Sequence, residues 1–325
     1  MIEPQMDRRY FLTEGLAAGA GALSFSAVAA AERGRTGPAD FSHPRSFVTT
    51  TFGRIAYTEM GSGPAAIFLH GWPLSGYHWR GAIARLQKSR RCVAPDFMGL
   101  GHTEVPPDAD LAPARQAEMI VALMDSLGVA RADLVSNDSG TTVAHLLAAH
   151  HPERVRSMLL TNGDVHTNSP PPALLPAIEQ ARQGILIDWF ERHLREPSFA
   201  ASEEGLGQVY TDPAFFTPEL AKAYLGPLMT SAVKRRQCQQ YGVAFEPNPL
   251  PAIEPLLRKS AIPARMLWGT GDALFPPAWA NWLHEALLHS TGIRLIAGAK
   301  LFFTEEFPDI VADEAHRLWT VETGH

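Results

Sequence analysis

From residue 45 onward, short apolar runs alternate with stretches of helical periodicity. Residues 45–51 and 54–60 alternate apolar and polar positions around Phe52-Gly53, which predicts an antiparallel hairpin. Ala65-Ala66-Ile67-Phe68-Leu69 is continuously apolar, as a strand buried on both faces would be. Residues 91–95, 132–136 and 155–161 read as further strands, and 77–87, 112–127 and 140–150 as the helices between them. In 112–127 the apolar positions Ile120, Leu123, Met124 and Leu127 share one helical face. At Asn162-Gly163-Asp164 the pattern changes. Strand-like runs stop until about Pro263, and Pro-punctuated helical stretches such as 173–195 and 218–241 take over. Ser169-Pro170-Pro171-Pro172 marks the entry to this region and Pro247-Asn248-Pro249 the exit. Alternation then resumes with a strand at 264–268, a helix at 277–289, a strand at 293–297 and a last helix from Glu305 to about Trp319. The pattern implies an α/β fold, a mostly parallel doubly wound sheet with an inserted helical cap. The expected division is a leader at 1–31, core at 32–164, cap at 165–249 and core again at 250–325. Loops at the carboxyl ends of the strands should carry the site.

One stretch organises the rest: Leu134-Val135-Ser136-Asn137-Asp138-Ser139-Gly140-Thr141-Thr142-Val143-Ala144. It reads as buried strand, sharp turn and helix start. Ser136 and Gly140 lie two places either side of Asp138, and a strand-to-helix elbow needs small residues there because the backbone folds back on itself. An acid therefore stands at the tip. A frame with Ser139 at the tip would put Asn137 and Thr141 at the tight positions, which fits worse.

Composition narrows the partners. The 325 residues can hold one large α/β domain with an insertion, and 46% hydrophobic with 19% charged residues excludes general disorder. A net charge of −6 leaves no basic footprint for nucleic acid. Cys92 and Cys238 make no disulfide framework, and no zinc spacing or phosphate loop occurs, so no metal or organic cofactor is implied. The segment Asp7-Arg8-Arg9-Tyr10-Phe11-Leu12-Thr13 is followed by a weakly apolar run, 15–29, and small-x-small patterns at Ala27-Val28-Ala29 and Ala29-Ala30-Ala31. This resembles a twin-arginine export signal, with a mature start near Ala30 or Glu32 in the periplasm or outside a bacterial cell. The run is too short for a stable membrane span.

Three motifs occur in order: His70-Gly71-Trp72-Pro73 after a strand, Asp96-x-x-Gly99-x-Gly101-x-Thr103 after the next, and the Asp138 elbow. Together they resemble the α/β-hydrolase superfamily across nearly all of the chain after Arg45. The acid at the elbow and the His-Gly-Trp-Pro loop are similar to the branch of epoxide hydrolases and haloalkane dehalogenases. The resemblance implies Asp138 as a nucleophile that forms an alkyl-enzyme ester, a His that activates water, and an acid that orients the His. In Gly269-Thr270-Gly271-Asp272-Ala273-Leu274-Phe275-Pro276, Asp272 takes the orienting acid's place, although it could instead cap the helix near Pro277. Asp164 occupies the spot some dehalogenases use for that acid. Backbone N–H groups of Trp72 and Ser139 would form the oxyanion hole. His70 would hold its loop, and Trp72-Pro73 is a candidate cis bond.

The loop that should bring the His departs from this pattern. Aligned on Gly298-Ala299 and Glu305-Glu306, its position is Leu301, and no His lies between His289 and His316. A one-residue slip would put Lys300 there, which would need a depressed pKa to act as base. Glu305 and Glu306 read as first-turn helix acids with Thr304 as cap. Ser139 stands where dehalogenases of the branch carry Trp and fluoroacetate dehalogenases Arg, and the Trp72 indole could supply one halide contact. Epoxide opening needs a cap acid, usually Tyr, for which Tyr210, Tyr224 and Tyr241 are candidates. His102 and His166 are candidate replacement bases, while Asn137 and Thr141 read as structural. The expected function is that of an α/β-fold hydrolase acting through Asp138 on a small, largely apolar molecule, with a nonstandard or impaired hydrolytic step. A non-turnover ligand-binding or alkyl-trapping protein, or a lyase or isomerase using Asp138 as base, are the alternatives.

Overall fold

A computed structural model describes residues 45–321. Its strands are β1 (Ser46–Thr50), β2 (Gly53–Met60), β3 (Ala65–Leu69), β4 (Arg91–Pro95), β5 (Ala132–Asp138), β6 (Val155–Gly163), β7 (Ala264–Gly269) and β8 (Ser290–Ile296). They form one sheet in the order β1-β2-β4-β3-β5-β6-β7-β8. The pairs β1/β2 and β2/β4 are antiparallel, and every other pair is parallel. The putting together of parallel neighbours requires crossovers, which α1 (Arg80–Leu86), α2 (Pro113–Ser126) and α3 (Ser139–His150) supply in the first half of the chain. Six helices follow between β6 and β7: α4 (Leu175–Gln183), α5 (Leu186–Arg195), α6 (Pro197–Ala200), α7 (Pro218–Leu225), α8 (Ala232–Val243) and α9 (Leu250–Leu257). After β7 come α10 (Ala278–Ala286), then α11 (Phe303–Glu306) and α12 (Pro308–Val321) beyond β8.

Every residue of β3 and β5 is buried, because helices cover both faces of the sheet centre. Period-two alternation divides these strands between two cores. Ile67, Leu69 and Leu134 join the core that holds Ile120, Leu123 and Met124 of α2. Ala66, Phe68 and Val135 face Trp79, Val311 and Trp319 on the other side. Cys92 and Cys238 are both buried free thiols.

Several predicted helices are shorter than their apolar pattern. The stretch 77–87 opens as a 3-10 turn, Gly76–Trp79, before α1 begins. Gly184 ends α4 in the left-handed region, with φ 79°, and so divides 173–195. Gly226-Pro227 divides 218–241, and Phe307-Pro308 divides the last helix, since proline has no N–H to continue the ladder. Among the described residues no helix is long and apolar enough to cross a membrane. The leader expected at 1–31 lies outside the described residues.

Candidate active site

Strand β5 runs straight into α3, and the join is Asp138, with φ 53° and ψ −132°. A non-glycine residue at positive φ is strained, and the surroundings must hold it there. They do so by close approach. A Cβ on Gly140 would lie 2.4 Å from the Leu69 carbonyl oxygen, and one on Gly163 would lie 2.5 Å from that of Asp138. Ser136, the other small neighbour, is fully buried. Thr141 donates its hydroxyl to the Asp138 carbonyl at 2.7 Å and so braces the turn.

The Asp138 carboxylate points at the His-Gly-Trp-Pro loop. The Trp72 N–H donates to Oδ2 at 2.8 Å, and the Ser139 N–H also bonds to the carboxylate. A Cβ on Gly71 would sit 2.1 Å from Oδ2, so only glycine leaves room. The Trp72-Pro73 bond is cis. His70 is buried and bridges Gly71 O at 2.8 Å and the Phe97 N–H at 3.0 Å. Burial lowers its pKa to about 4, so it is a neutral loop brace.

Asp138 opens into a cavity of about 190 Å³. Trp72, Asp272, Lys300, Leu301 and Phe302 line it from the core loops, and Leu174, Leu186, Trp189, Phe190 and Leu206 from the segment between β6 and β7. Asp272 lies in the loop after β7. Its Oδ2 accepts from the Asn162 amide at 2.8 Å and its Oδ1 from the Leu274 N–H at 2.8 Å. It therefore caps its own turn rather than α10, whose preceding residue is Pro277. Burial raises the Asp272 pKa, and neutral donors only partly offset this. Asp164 is outside the cavity lining and takes a hydrogen bond from Thr142 at 3.0 Å. Burial pushes it up to about 7. Asp138 is driven well above the usual carboxylate range, first by burial and then by Asp164. The Trp72 and Ser139 N–H groups oppose the shift, and Asp272 adds to it.

Leu301 is buried in the cavity wall. Asn137 fixes it there, donating its amide to the Leu301 carbonyl at 3.0 Å and to Thr161 Oγ1 at 2.9 Å. Asn137 is thus structural, as its sequence position suggested, but it also ties the elbow to the loop that lacks a histidine. Asn162 marks a break in the sequence pattern, but its sequence context assigns it no role in holding Asp272. Lys300 shares the wall and pairs with Glu203 at 3.6 Å.

The remaining candidates lie elsewhere. His102 donates its backbone N–H to Asp96 at 2.8 Å, and His166 pairs with Glu254 at 2.7 Å and stacks on Trp282. Neither lines the cavity. Tyr210 donates to Glu305 at 2.7 Å, and Tyr224 takes a hydrogen bond from Arg80 at 3.2 Å. Tyr241 ends on the Ser139 hydroxyl at 3.1 Å, outside the cavity lining. The Trp72 indole N–H is committed to the Cys238 carbonyl at 3.0 Å. Glu305 and Glu306 stand in the first turn of α11, as expected, whereas the Thr304 cap needs correcting. Glu305 is buried and ion-paired to Arg80, which with His78 overcomes the burial penalty and holds its pKa at about 2. Thr304 does not cap α11, because its hydroxyl meets His78 Nε2 at 2.7 Å. A strained carboxylate, two amide donors and a largely apolar cavity are thus assembled, but no imidazole lines the cavity among the described residues.

A family model described as the alpha/beta hydrolase fold matches residues 64–306. A haloalkane dehalogenase of Mesorhizobium japonicum is 28% identical over 285 residues, covering 82% of this chain and 88% of its own length. The bifunctional epoxide hydrolase 2 of Rattus norvegicus is 31% identical over 182 residues, 55% of this chain and 32% of that protein. The crystal structure of the haloalkane dehalogenase DbeA from Bradyrhizobium elkani superposes with a TM-score of 0.71 at 23% identity, covering 87% of this chain and 99% of that one. With a family match across most of its length, the chain belongs to the alpha/beta hydrolase fold family, and its relatives include haloalkane dehalogenases and epoxide hydrolases.

Proposed function

We propose that this α/β-fold hydrolase uses Asp138 to form an alkyl-enzyme ester and releases it slowly. The observation that carries the reading is the pairing of a strained, cavity-facing carboxylate with a leucine in the place of a water-activating base. In the first step a carboxylate oxygen of Asp138 donates an electron pair to an alkyl carbon. A C–O bond forms with that pair, and the bond from carbon to the leaving group breaks with its own pair going to the leaving group. A halide departs, whereas an epoxide oxygen stays on the neighbouring carbon and takes a proton from solvent. In the second step water must add to the ester carbonyl and lose a proton. The Trp72 and Ser139 N–H groups suit the oxyanion that develops there. Leu301 cannot take the proton, so the ester outlasts the alkylation step.

The test is incubation with an aryl epoxide and with a bromoalkane, following product and intact mass together. A mass increase of one alkyl group that is absent in Asp138→Asn is the expected result. Product without any adduct would point to an unrecognised base, and neither product nor adduct across a broad panel would rule Asp138 out as a nucleophile.

The raised pKa of Asp138 favours a second reading, in which it acts as a general base in an isomerase or lyase. Turnover without an adduct, with deuterium entering the substrate from solvent, would distinguish it. The twin-arginine leader is a further proposal, tested by N-terminal sequencing of the exported chain.

A further inference from the structure

The cavity combines aromatic walls with two buried carboxyl groups. Trp72, Trp189, Phe190 and Phe302 contribute rings to its lining, and Asp138 and Asp272 contribute carboxyl groups that are each only 7% exposed. Neutral groups hold both acids: backbone N–H groups at Asp138, and the Asn162 amide with the Leu274 N–H at Asp272. The described lining also contains Glu203 and a single cation, Lys300, which is paired with Glu203. Glu203 is largely exposed, so the buried carboxyl groups of the lining are those of Asp138 and Asp272. Buried charge of one sign is costly unless an opposite charge enters. Leu301 offers none.

We propose that this cavity takes a small organic ammonium ion, its charge offset by Asp138 and Asp272 and its alkyl groups lying against the aromatic wall. Aromatic rings attract quaternary ammonium groups through their negative faces, and the effect grows when the site is desolvated. The ligand then adds a positive charge to that of Lys300, the cation of the described lining, which also acts on Asp272. The inference names a ligand class for the cavity in which we place the alkylation chemistry. Binding of this kind requires no ester, so either reading can fail while the other stands.

The experiment is calorimetric titration of the protein with choline and, separately, with 3,3-dimethylbutan-1-ol, which has the same shape without the charge. Choline is expected to bind about tenfold more tightly or better. Asp272→Asn should remove most of that preference while leaving the alcohol's affinity in place. Trp189→Leu, a change at a partly exposed position, should weaken choline more than the alcohol and does not depend on the Asp272 variant folding. Equal affinities for the two probes, no binding of choline, or a choline preference that survives both substitutions would overturn the proposal.

Discussion

Asn162 donates its side-chain amide to Oδ2 of Asp272 at 2.8 Å, and the same amide reaches the Gly269 carbonyl at 3.1 Å. The acid that would orient a histidine is therefore held by a neutral strand residue. A carboxylate can accept about four hydrogen bonds, so Asp272 retains capacity for an imidazole. Leu301→His should accordingly hasten ester release by about a hundredfold, the lower end of general-base effects. The measurement is the decay of the alkylated mass after excess reagent is removed. An unchanged decay rate would mean that Leu301 does not occupy the base's place. The substitution should also cost about 1–3 kcal/mol of stability, because it buries a polar ring where a leucine packs.

Gly71 lies directly against the side chain of the nucleophile. A methyl group there would collide with Oδ2 at 2.1 Å and with the Asp138 Cβ at 2.3 Å. Gly71→Ala must either rotate the carboxylate away from the Trp72 N–H or push the loop outward. Either displacement spoils the attack geometry, and alkylation should slow by about a hundredfold. Single-turnover mass spectrometry would measure this. An unaffected rate would show that the carboxylate attacks from a different position.

The elbow was legible because its constraint is local: Ser136, Asp138 and Gly140 are small, acid and small at fixed spacing, and backbone approach dictates that pattern. The strand positions followed from apolar runs that burial on both faces demands, as in β3 and β5. Legibility ended where partners come from distant segments. Glu305 reads as a first-turn acid in isolation, yet Arg80 and Tyr210, 225 and 95 positions away, make it a buried ion. Asn162 carries no motif, and only the pairing of β6 beside β7 brings it to Asp272. Tyrosines gave the same difficulty, since a phenol's partner cannot be read from periodicity.

Tyr210 and Tyr224 belong to the Arg80–Glu305 site and not to the cavity lining. Tyr210→Phe and Tyr224→Phe should leave alkylation by an aryl epoxide within about twofold of the native rate. Each should lower stability by about 1 kcal/mol through a lost buried hydrogen bond. Alkylation kinetics and denaturant unfolding measured on the same preparations would check both effects. A large loss of epoxide reactivity with bromoalkane reactivity preserved would instead assign that phenol to leaving-group protonation.

Asp164 places a pH dependence in the fold. Its carboxyl rises from 3.8 to about 7 on burial, so between those values the folded chain holds a proton that the unfolded chain has lost. Its contribution to stability is therefore full below pH 3.8 and falls as pH rises to about 7, beyond which it is level. Asn at this position cannot ionise, and its amide oxygen can still accept from the Thr142 hydroxyl. Asp164→Asn should thus gain stability relative to the native protein as pH rises from about 5 to 8, by roughly 3 kcal/mol, since about two pKa units of the shift fall in that range at 1.4 kcal/mol each. It should also favour ionised Asp138, since the Asp164 charge is one of the causes that raise that group. Alkylation by a bromoalkane would then reach its plateau at lower pH in Asp164→Asn than in the native chain. Unfolding midpoints and alkylation rates across this pH range test the two consequences separately. Parallel stability curves would mean that Asp164 keeps its charge when buried, and coincident rate profiles would mean that its charge does not reach Asp138.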